Sequence, residues 1–284
     1  MFRIVLIIND QFTNLALACV NSIVDTRLYA KDSINIDILH FNNDLSQENI
    51  EKLEALSTKN TTVKAIQVAP EYKELCDDLG RRAKENITPV PPIVWLRLFI
   101  PKLYTNQETV VHIDADICVR KDLKKLIDEH NLPTQPLVGF RHRFQGIADI
   151  MENTITAGSF VYNLKVLDKD KWFDAIDKHI SNHSNDDYLL QALFNEFEHS
   201  YSLPQNLLCT RVSIQQVPTS MLNDDNYLLY VNKVFDEQYR IAEIVHYGGE
   251  PKPKFDRTNF NIPLFTYNYL AAKRRIRKNQ RERN

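Results

Sequence analysis

Two carboxylates, Asp114 and Asp116, bracket Ala115 directly after the apolar run Val110-Val111-His112-Ile113. A β-branched run of this kind has the composition of a strand buried on both faces of a mostly parallel sheet. In an extended chain, a spacing of two points both carboxylates to the same side. Two like charges on one buried face repel and lose hydration unless something positive lies between them. A divalent cation meets that need, because hard cations take carboxylate oxygens. Arg120-Lys121-Asp122-Leu123 then returns to ordinary surface chemistry. The acids are therefore predicted at the strand's carboxyl end, where open α/β sheets bind ligands. Asp-x-Asp alone is equally compatible with two solvated acids.

Three further stretches carry residue types suited to chemistry. Arg97 stands inside the apolar segment Ile93-Val94-Trp95-Leu96-Arg97-Leu98-Phe99-Ile100. An arginine in such company either snorkels to solvent or pairs with a buried anion. Asn185-Asp186-Asp187 precedes Tyr188-Leu189-Leu190. Helix capping accounts for one of these acids but not for two. Ile244-Val245-His246 runs into Tyr247-Gly248-Gly249, with Lys252 six residues past the histidine. Backbone amides in a glycine turn beside an ammonium are the composition of a phosphate site.

The elements that must position these groups alternate in type. Phe2 to Ile8 reads as a strand, followed by the polar turn Asn9-Asp10-Gln11 and a helical stripe at Leu15, Ala18, Cys19 and Ser22. Ile34, Ile36 and Ile38 begin a second strand, and Ser46 is placed to cap a helix with the stripe Ile50, Leu53 and Leu56. Val63 to Val68 and Glu71 to Arg82 give a third strand and helix. Prolines 89, 91 and 92 launch a helix over Ile93 to Ile100, with Pro101 bending or ending it. Leu137 to Phe140 and Thr156 to Leu164 are predicted strands, separated by a polar stretch, Arg141 to Asn153, long enough for a lid or acceptor loop. Lys165 to His179 reads as a helix. Alternating strands and helices imply a doubly wound α/β sheet. With only 6 Gly and none clustered after the first strand, neither a dinucleotide-binding Rossmann motif nor a P-loop is present.

Composition narrows the class. A chain of 284 residues with 43% hydrophobic and 25% charged residues suits a soluble α/β protein. Cys19, Cys76, Cys118 and Cys209 show no paired spacing, as expected of reduced thiols in the cytoplasm. Ile4 to Ile8 is too short for a signal-peptide core, and no apolar run approaches membrane-spanning length. Net charge is −2, but residues 271–284 carry seven basic groups against one acid, leaving −8 on the rest. Leu264 to Leu270, just upstream, is aromatic and apolar. That sequence fits an anchor on anionic lipid at the inner face of the cell membrane, or a frayed terminus. Nucleic acid ranks last, because basic and aromatic residues interleave nowhere else.

Taken in order, these segments resemble glycosyltransferase family 8, retaining enzymes of GT-A type that include glycogenin and bacterial lipooligosaccharide galactosyl- and glucosyltransferases. The resemblance runs through the Ile7 to Phe12 turn, Trp95-Leu96-Arg97-Leu98 with Ile100-Pro101, and Ile113-Asp114-Ala115-Asp116. It continues through Ala157-Gly158 with Asn163-Leu164, Asp186-Asp187, and His246-Tyr247-Gly248-Gly249 with Lys252-Pro253. It implies a GT-A catalytic domain over residues 1–262, a nucleotide-binding half to residue 120 and an acceptor half beyond it, with 263–284 as a tail. It further implies that Asp114, Asp116 and His246 hold Mn²⁺, or Mg²⁺, against the diphosphate of a UDP-sugar. Lys252 and the Gly249 amide would neutralise that diphosphate. Ile7, Ile8, Asn9 and Phe12 would meet the uridine, while Ala115, Arg97, Thr156, Ala157, Asp186 and Asp187 would line the donor. Arg97 and Asp186 are the expected catalytic pair.

Four positions depart from the family pattern: Asn9 where Asp is usual, Thr156 where Asn is usual, Asn185-Asp186 for Asp-Gln, and Lys254 ahead of Phe255. Asn9 bears on the uridine contacts and the other three on the donor sugar, none on the metal, which leaves UDP-glucose and UDP-galactose as the expected donors. A glycan or glycoprotein is the expected acceptor, in bacterial surface glycan synthesis. Two other readings remain. A haloacid-dehalogenase-like phosphatase also places Asp-x-Asp after an apolar strand, but early in its domain and followed by Thr or Val where Cys118 stands. A UDP-sugar-binding protein without turnover would fit the donor-site departures.

Overall fold

Strand β1 (Phe2–Ile7) sends alternate side chains to opposite sides of the central sheet. Ile4 and Leu6 join one apolar cluster, while Val5 joins another. The same division recurs in β4 (Thr109–Ile113), where Val111 and Ile113 enter the first cluster and Val110 the second. A strand apolar on both faces must lie between two layers of helix, as the sequence predicted. The computed structural model describes residues 2–83, 91–104, 109–130, 134–141, 155–183, 186–198, 200–203, 208–210, 242–247 and 263–283.

Between β1 and β4 come α1 (Thr13–Thr26), β2 (Ile34–His40), α2 (Gln47–Glu54), β3 (Thr61–Gln67), α3 (Pro70–Arg82), a 3-10 helix (Pro92–Phe99) and α4 (Ile100–Leu103). After β4 follow β5 (Ile117–Val119), α5 (Leu123–Glu129), β6 (Leu137–Arg141), β7 (Ile155–Tyr162), α6 (Lys169–His179), α7 (Asp186–Glu196), β8 (Tyr201–Leu203), β9 (Leu208–Thr210), β10 (Ile244–His246) and α8 (Pro263–Arg283). Among the described residues, the central sheet has seven strands in the order β3-β2-β1-β4-β7-β6-β8. Only β7 runs against the rest. A second sheet, β5-β10-β9, stands beside it.

Four local expectations are corrected. The segment at 93–100 is not an α-helix: it is 3-10 over Pro92–Phe99, and Pro101 opens α4 rather than closing the first helix. Pro101 has no N–H to return to Arg97, so the Arg97 carbonyl instead takes the Ile100 amide and the Tyr162 hydroxyl, the latter at 3.0 Å. Helix α6 begins at Lys169 rather than 165, because the Asp168 side chain accepts from the Lys171 amide and caps it. Ser46 does sit at the N-cap of α2, but its hydroxyl donates to Asp10 at 3.1 Å and caps no helix amide. Finally, β4 ends at Ile113, so Asp114 and Asp116 occupy a turn and not a strand.

The carboxyl-terminal segment is a helix of 21 residues, and it is not frayed. Phe265, Asn268, Ala272 and Ile276 form its buried side. Asn268 accepts from Asn21 Nδ2 at 3.1 Å, and Arg275 pairs with Asp25, so this side lies on α1. Helix α1 is buried nearly all round as a result, from Leu15 to Val24. A single apolar stripe on α1 would have needed only the sheet as partner; the extra burial is the work of α8.

Candidate active site

Asp114, Asp116 and His246 reach one another through backbone pairing. The Asp114 amide donates to the Gly158 carbonyl at 2.8 Å, which fixes the start of the turn against β7. The turn closes with Ile117 N on Asp114 O at 3.3 Å and passes into β5. Strand β10 pairs antiparallel with β5, His246 opposite Ile117, and the Tyr247 amide donates to the Asp116 carbonyl at 3.0 Å. Histidine and acid, more than a hundred residues apart in sequence, thus become cross-strand neighbours.

Their ligand atoms all lie within 4.8 Å of one another. His246 Nε2 is 3.3 Å from Asp116 Oδ1 and 4.0 Å from Asp114 Oδ2. Asp116 is 3% exposed and His246 7% exposed. Two carboxylates and an imidazole converging in a buried space suit a divalent cation. Gly158 keeps that space open. A Cβ there would stand 2.7 Å from His246 Cε1 and 3.0 Å from Asp114 Oδ2. No side chain larger than hydrogen fits without moving a ligand.

Arg97 joins this turn to the next acids. It is 6% exposed and pairs; it does not snorkel. Nη2 lies 3.2 Å from Asp114 Oδ1, and Nη1 lies 3.0 Å from Asp186 Oδ2 while donating to the Ala157 carbonyl at 2.8 Å. Nε donates to Val94 O at 3.0 Å. Trp172 Nε1 donates to Leu98 O at 2.9 Å, locking the 3-10 helix that carries the arginine. Asp187 Oδ1 accepts from the Ala157 amide at 2.6 Å. Ala157 is therefore clamped on both sides of its backbone. Thr156 is buried, and its hydroxyl accepts from the Gly158 amide at 3.1 Å.

Electrostatics separate the acids. Burial alone would raise Asp114, but Arg97, His112 and His246 outweigh it and hold this carboxyl far below the usual range. Burial pushes Asp186 up to about 6, against the pull of Arg97 and with help from Asp187 and Asp114. Burial likewise depresses His112, which leaves it neutral. Arg97 stays charged, because Asp114 and Asp186 offset its desolvation. A pair of acids whose environments drive them in opposite directions is the mark of a working site.

The remaining expected residues cluster less tightly. Ile7 ends β1 opposite Leu39 of β2, and the Ile8 amide, just past the strand, donates to Leu39 O at 3.1 Å. Asn9 caps the short 3-10 helix Asp10–Phe12 through Gln11 N at 3.1 Å, and Phe12 is half-buried. Asp10 accepts from Ser46 N and Asn49 Nδ2, each at 2.8 Å, tying the turn to α2. Asn185, Gly249 and Lys252 lie outside the described residues, as does the stretch 142–153. Sequence reasoning gave no role to His112, although it is the one polar residue in its apolar run. Nor did it see Phe265, whose ring meets Tyr247, next to His246, edge-on at 4.8 Å.

The sequence model of glycosyltransferase family 8 matches residues 3–190, about two thirds of the chain. The chain belongs to glycosyltransferase family 8. It is an enzyme of GT-A fold by that membership and by its solved neighbours. Galactosyltransferase LgtC, solved with donor and acceptor sugar analogues, aligns with a TM-score of 0.64 at 18% identity over 95% of this chain and 96% of LgtC. The bifunctional glycosyltransferase WbbM gives 0.64 at 17% identity over 96% of this chain, which spans about half of WbbM (51%). Mouse xyloside xylosyltransferase 1 gives 0.58 at 13% identity over 89% of this chain and 99% of its own. No curated protein matches by sequence. The family match ends before His246, so its imidazole is joined to the acids by fold rather than by the matched segment. With the family in hand, the phosphatase reading loses its ground. Among the described residues no helix is long and apolar enough to cross a membrane.

Proposed function

We propose that this family 8 enzyme transfers a hexose, glucose or galactose, from a UDP-sugar to a glycan or glycoprotein acceptor with retention of configuration. The convergence of Asp114, Asp116 and His246 on one buried space carries the reading. An imidazole beside carboxylates favours Mn²⁺ over Mg²⁺ as the ion. Bound there, the ion would supply Lewis-acid stabilisation of the charge that grows on the diphosphate. Asp114, Asp116 and His246 would hold it, and Lys252 with the Gly249 amide would help neutralise the diphosphate.

The chain's own groups take the other roles. Arg97 binds Asp114 and Asp186 at once, so it sets the distance between the ion site and the sugar site. Asp186, ionised, faces the cationic character that the anomeric carbon acquires as its bond to phosphate oxygen breaks. The acceptor oxygen forms the new bond, and its proton leaves with the departing phosphate. Asn9 and Phe12 receive the uridine in this reading. A bacterial surface glycan is the proposed destination.

Helix α8 supports peripheral membrane association. Its outward side shows Tyr267 at 64% and Leu270 at 47% exposure, followed by exposed Lys273, Arg274, Arg277 and Arg281. Apolar rings leading a cationic stripe fit anionic lipid.

The test is UDP release from a panel of UDP-sugars with Mn²⁺, with Mg²⁺ and with chelator. Release from UDP-glucose or UDP-galactose, lost on chelation and restored best by Mn²⁺, is expected. UDP binding without release identifies a non-catalytic binder. Metal-independent release sinks the assignment of the three ligands.

A further inference from the structure

His112 is a polar residue in an apolar strand. It stands in β4 between Val111 and Ile113, 1% exposed. The Val5 backbone and the Asp114 carboxylate lie within reach of its ring, but neither contact is a well-aligned hydrogen bond. Burying an imidazole on these terms is unfavourable unless something else requires it. What the ring does face is a carboxylate, with Nε2 3.3 Å from Asp114 Oδ1.

The two oxygens of Asp114 are sorted by their neighbours. Oδ1 meets Arg97 Nη2 at 3.2 Å and His112 Nε2 at 3.3 Å. Oδ2 meets His246 at 4.0 Å and lies 3.0 Å from where a Cβ of residue 158 would stand. One oxygen points into the protein, the other into the space shared with Asp116. Arg97 cannot fix this rotation alone, because its other terminal nitrogen is committed to Asp186 and Ala157. A second cation behind Asp114 would fix it, but would also repel the ion in front. A ring N–H behind Asp114 holds the carboxylate from a second direction.

We infer that His112 is a positioning residue for the cation site, holding Asp114 so that Oδ2 is presented to the ion. This rests on the reading of Asp114 as a ligand given above. Partners of this kind typically contribute ten- to a hundredfold in metal affinity.

The test is titration of the full chain with Mn²⁺ in the presence of UDP, following the electron paramagnetic resonance signal of the free ion. Wild type is compared with His112→Leu, which lacks a donor, and His112→Gln, whose amide can stand where Nε2 stands. Thermal unfolding is measured alongside. About a tenfold rise in the Mn²⁺ Kd for the Leu variant is expected, with most of it recovered by Gln. A histidine that merely fills space moves the melting temperature and leaves the Kd alone. Equal Mn²⁺ affinity in a folded Leu variant overturns the inference. If the Leu variant does not fold, His112→Asn, too short to reach, must bind Mn²⁺ more weakly than the Gln variant. Equal affinity of those two also overturns it. Should wild type itself take up no Mn²⁺, the proposed function fails, and the inference with it.

Discussion

Among the described residues, two arginines are buried among carboxylates, and their surroundings differ. Arg27 gives Nη1 to both oxygens of Asp122 at 2.6 Å and Nη2 to Asp32 at 2.8 Å. Asp122 in turn accepts from the Lys124 amide at 3.0 Å and caps α5. Both terminal nitrogens of that guanidinium are answered by carboxylates, while among the described residues its Nε has no hydrogen-bond partner. Arg97 is shared between Asp114 and Asp186, with Asp116 and Asp187 close behind. Among the described residues, four acids converge around one guanidinium. A buried charge set that closes on itself is architecture, whereas one with negative charge left over is a socket for a cation.

Breaking each network should therefore give different results. Asp114→Asn is expected to lower UDP-releasing turnover by about 10³-fold or more, ~4 kcal/mol, and also to lower the melting temperature, because Arg97 and His112 favour the ionised carboxylate. Calorimetry and initial rates on one preparation would show it. Arg27→Met should cost stability alone. Leaving Asp122 buried without its partner costs about 3 kcal/mol or more of stability, with Mn²⁺ affinity of the folded protein unchanged. A large loss of Mn²⁺ binding in that variant would dissolve the distinction between the two groups.

Gly158→Ala sharpens the comparison from the cavity side. Its Cβ would fall within 3.0 Å of His246, so roughly tenfold weaker Mn²⁺ binding is expected, about 1–2 kcal/mol. Isothermal titration with the ion alone would measure it.

Asp186 supplies a pH test. Its pKa is raised to about 6 in the folded protein, against 3.8 for the free group. The folded state therefore holds this proton more tightly than the unfolded chain. The stabilisation is fully present below the unfolded value and is lost as pH rises through about 6. Asp186→Asn should accordingly be more stable than wild type at neutral pH, with the difference vanishing toward pH 4, and should turn over more slowly at every pH. Urea midpoints across that range report it, and parallel curves remove Asp186 from the buried acid set.

The smallest effect on turnover is expected far from the site. Replacing Lys273, Arg274, Arg277 and Arg281 together by Gln should weaken sedimentation with anionic vesicles by at most about 1 kcal/mol per residue. Turnover on a soluble acceptor should not change. Arg275 is excluded, because it pairs with Asp25.

Much of this site could be read from residue order because its acids are local. Asp114 and Asp116 are two apart, and the apolar run before them announces a buried strand whatever else the chain does. Their geometry was less legible: the pair converges through a tight turn, which side-chain alternation along a strand does not describe. Arg97 left two readings open, since composition cannot say whether an anion waits nearby. Asp114 and Asp186 close the question. Helix α8 reads as a detachable tail, because seven basic residues crowd its second half. Its few apolar positions, Phe265, Ala272 and Ile276, nevertheless fall on one side and complete the burial of α1.

By itself the sequence determined the α/β class, the two-layered burial of the strands and the acids at a strand end, because periodicity and charge are local properties. Tertiary structure alone decided that His246 meets Asp116, through pairing of β10 with β5. It alone decided that Gly158 must be glycine and that one arginine bridges Asp114 and Asp186. Those are facts about segments distant in the chain, and no local pattern encodes how far apart folding will leave them.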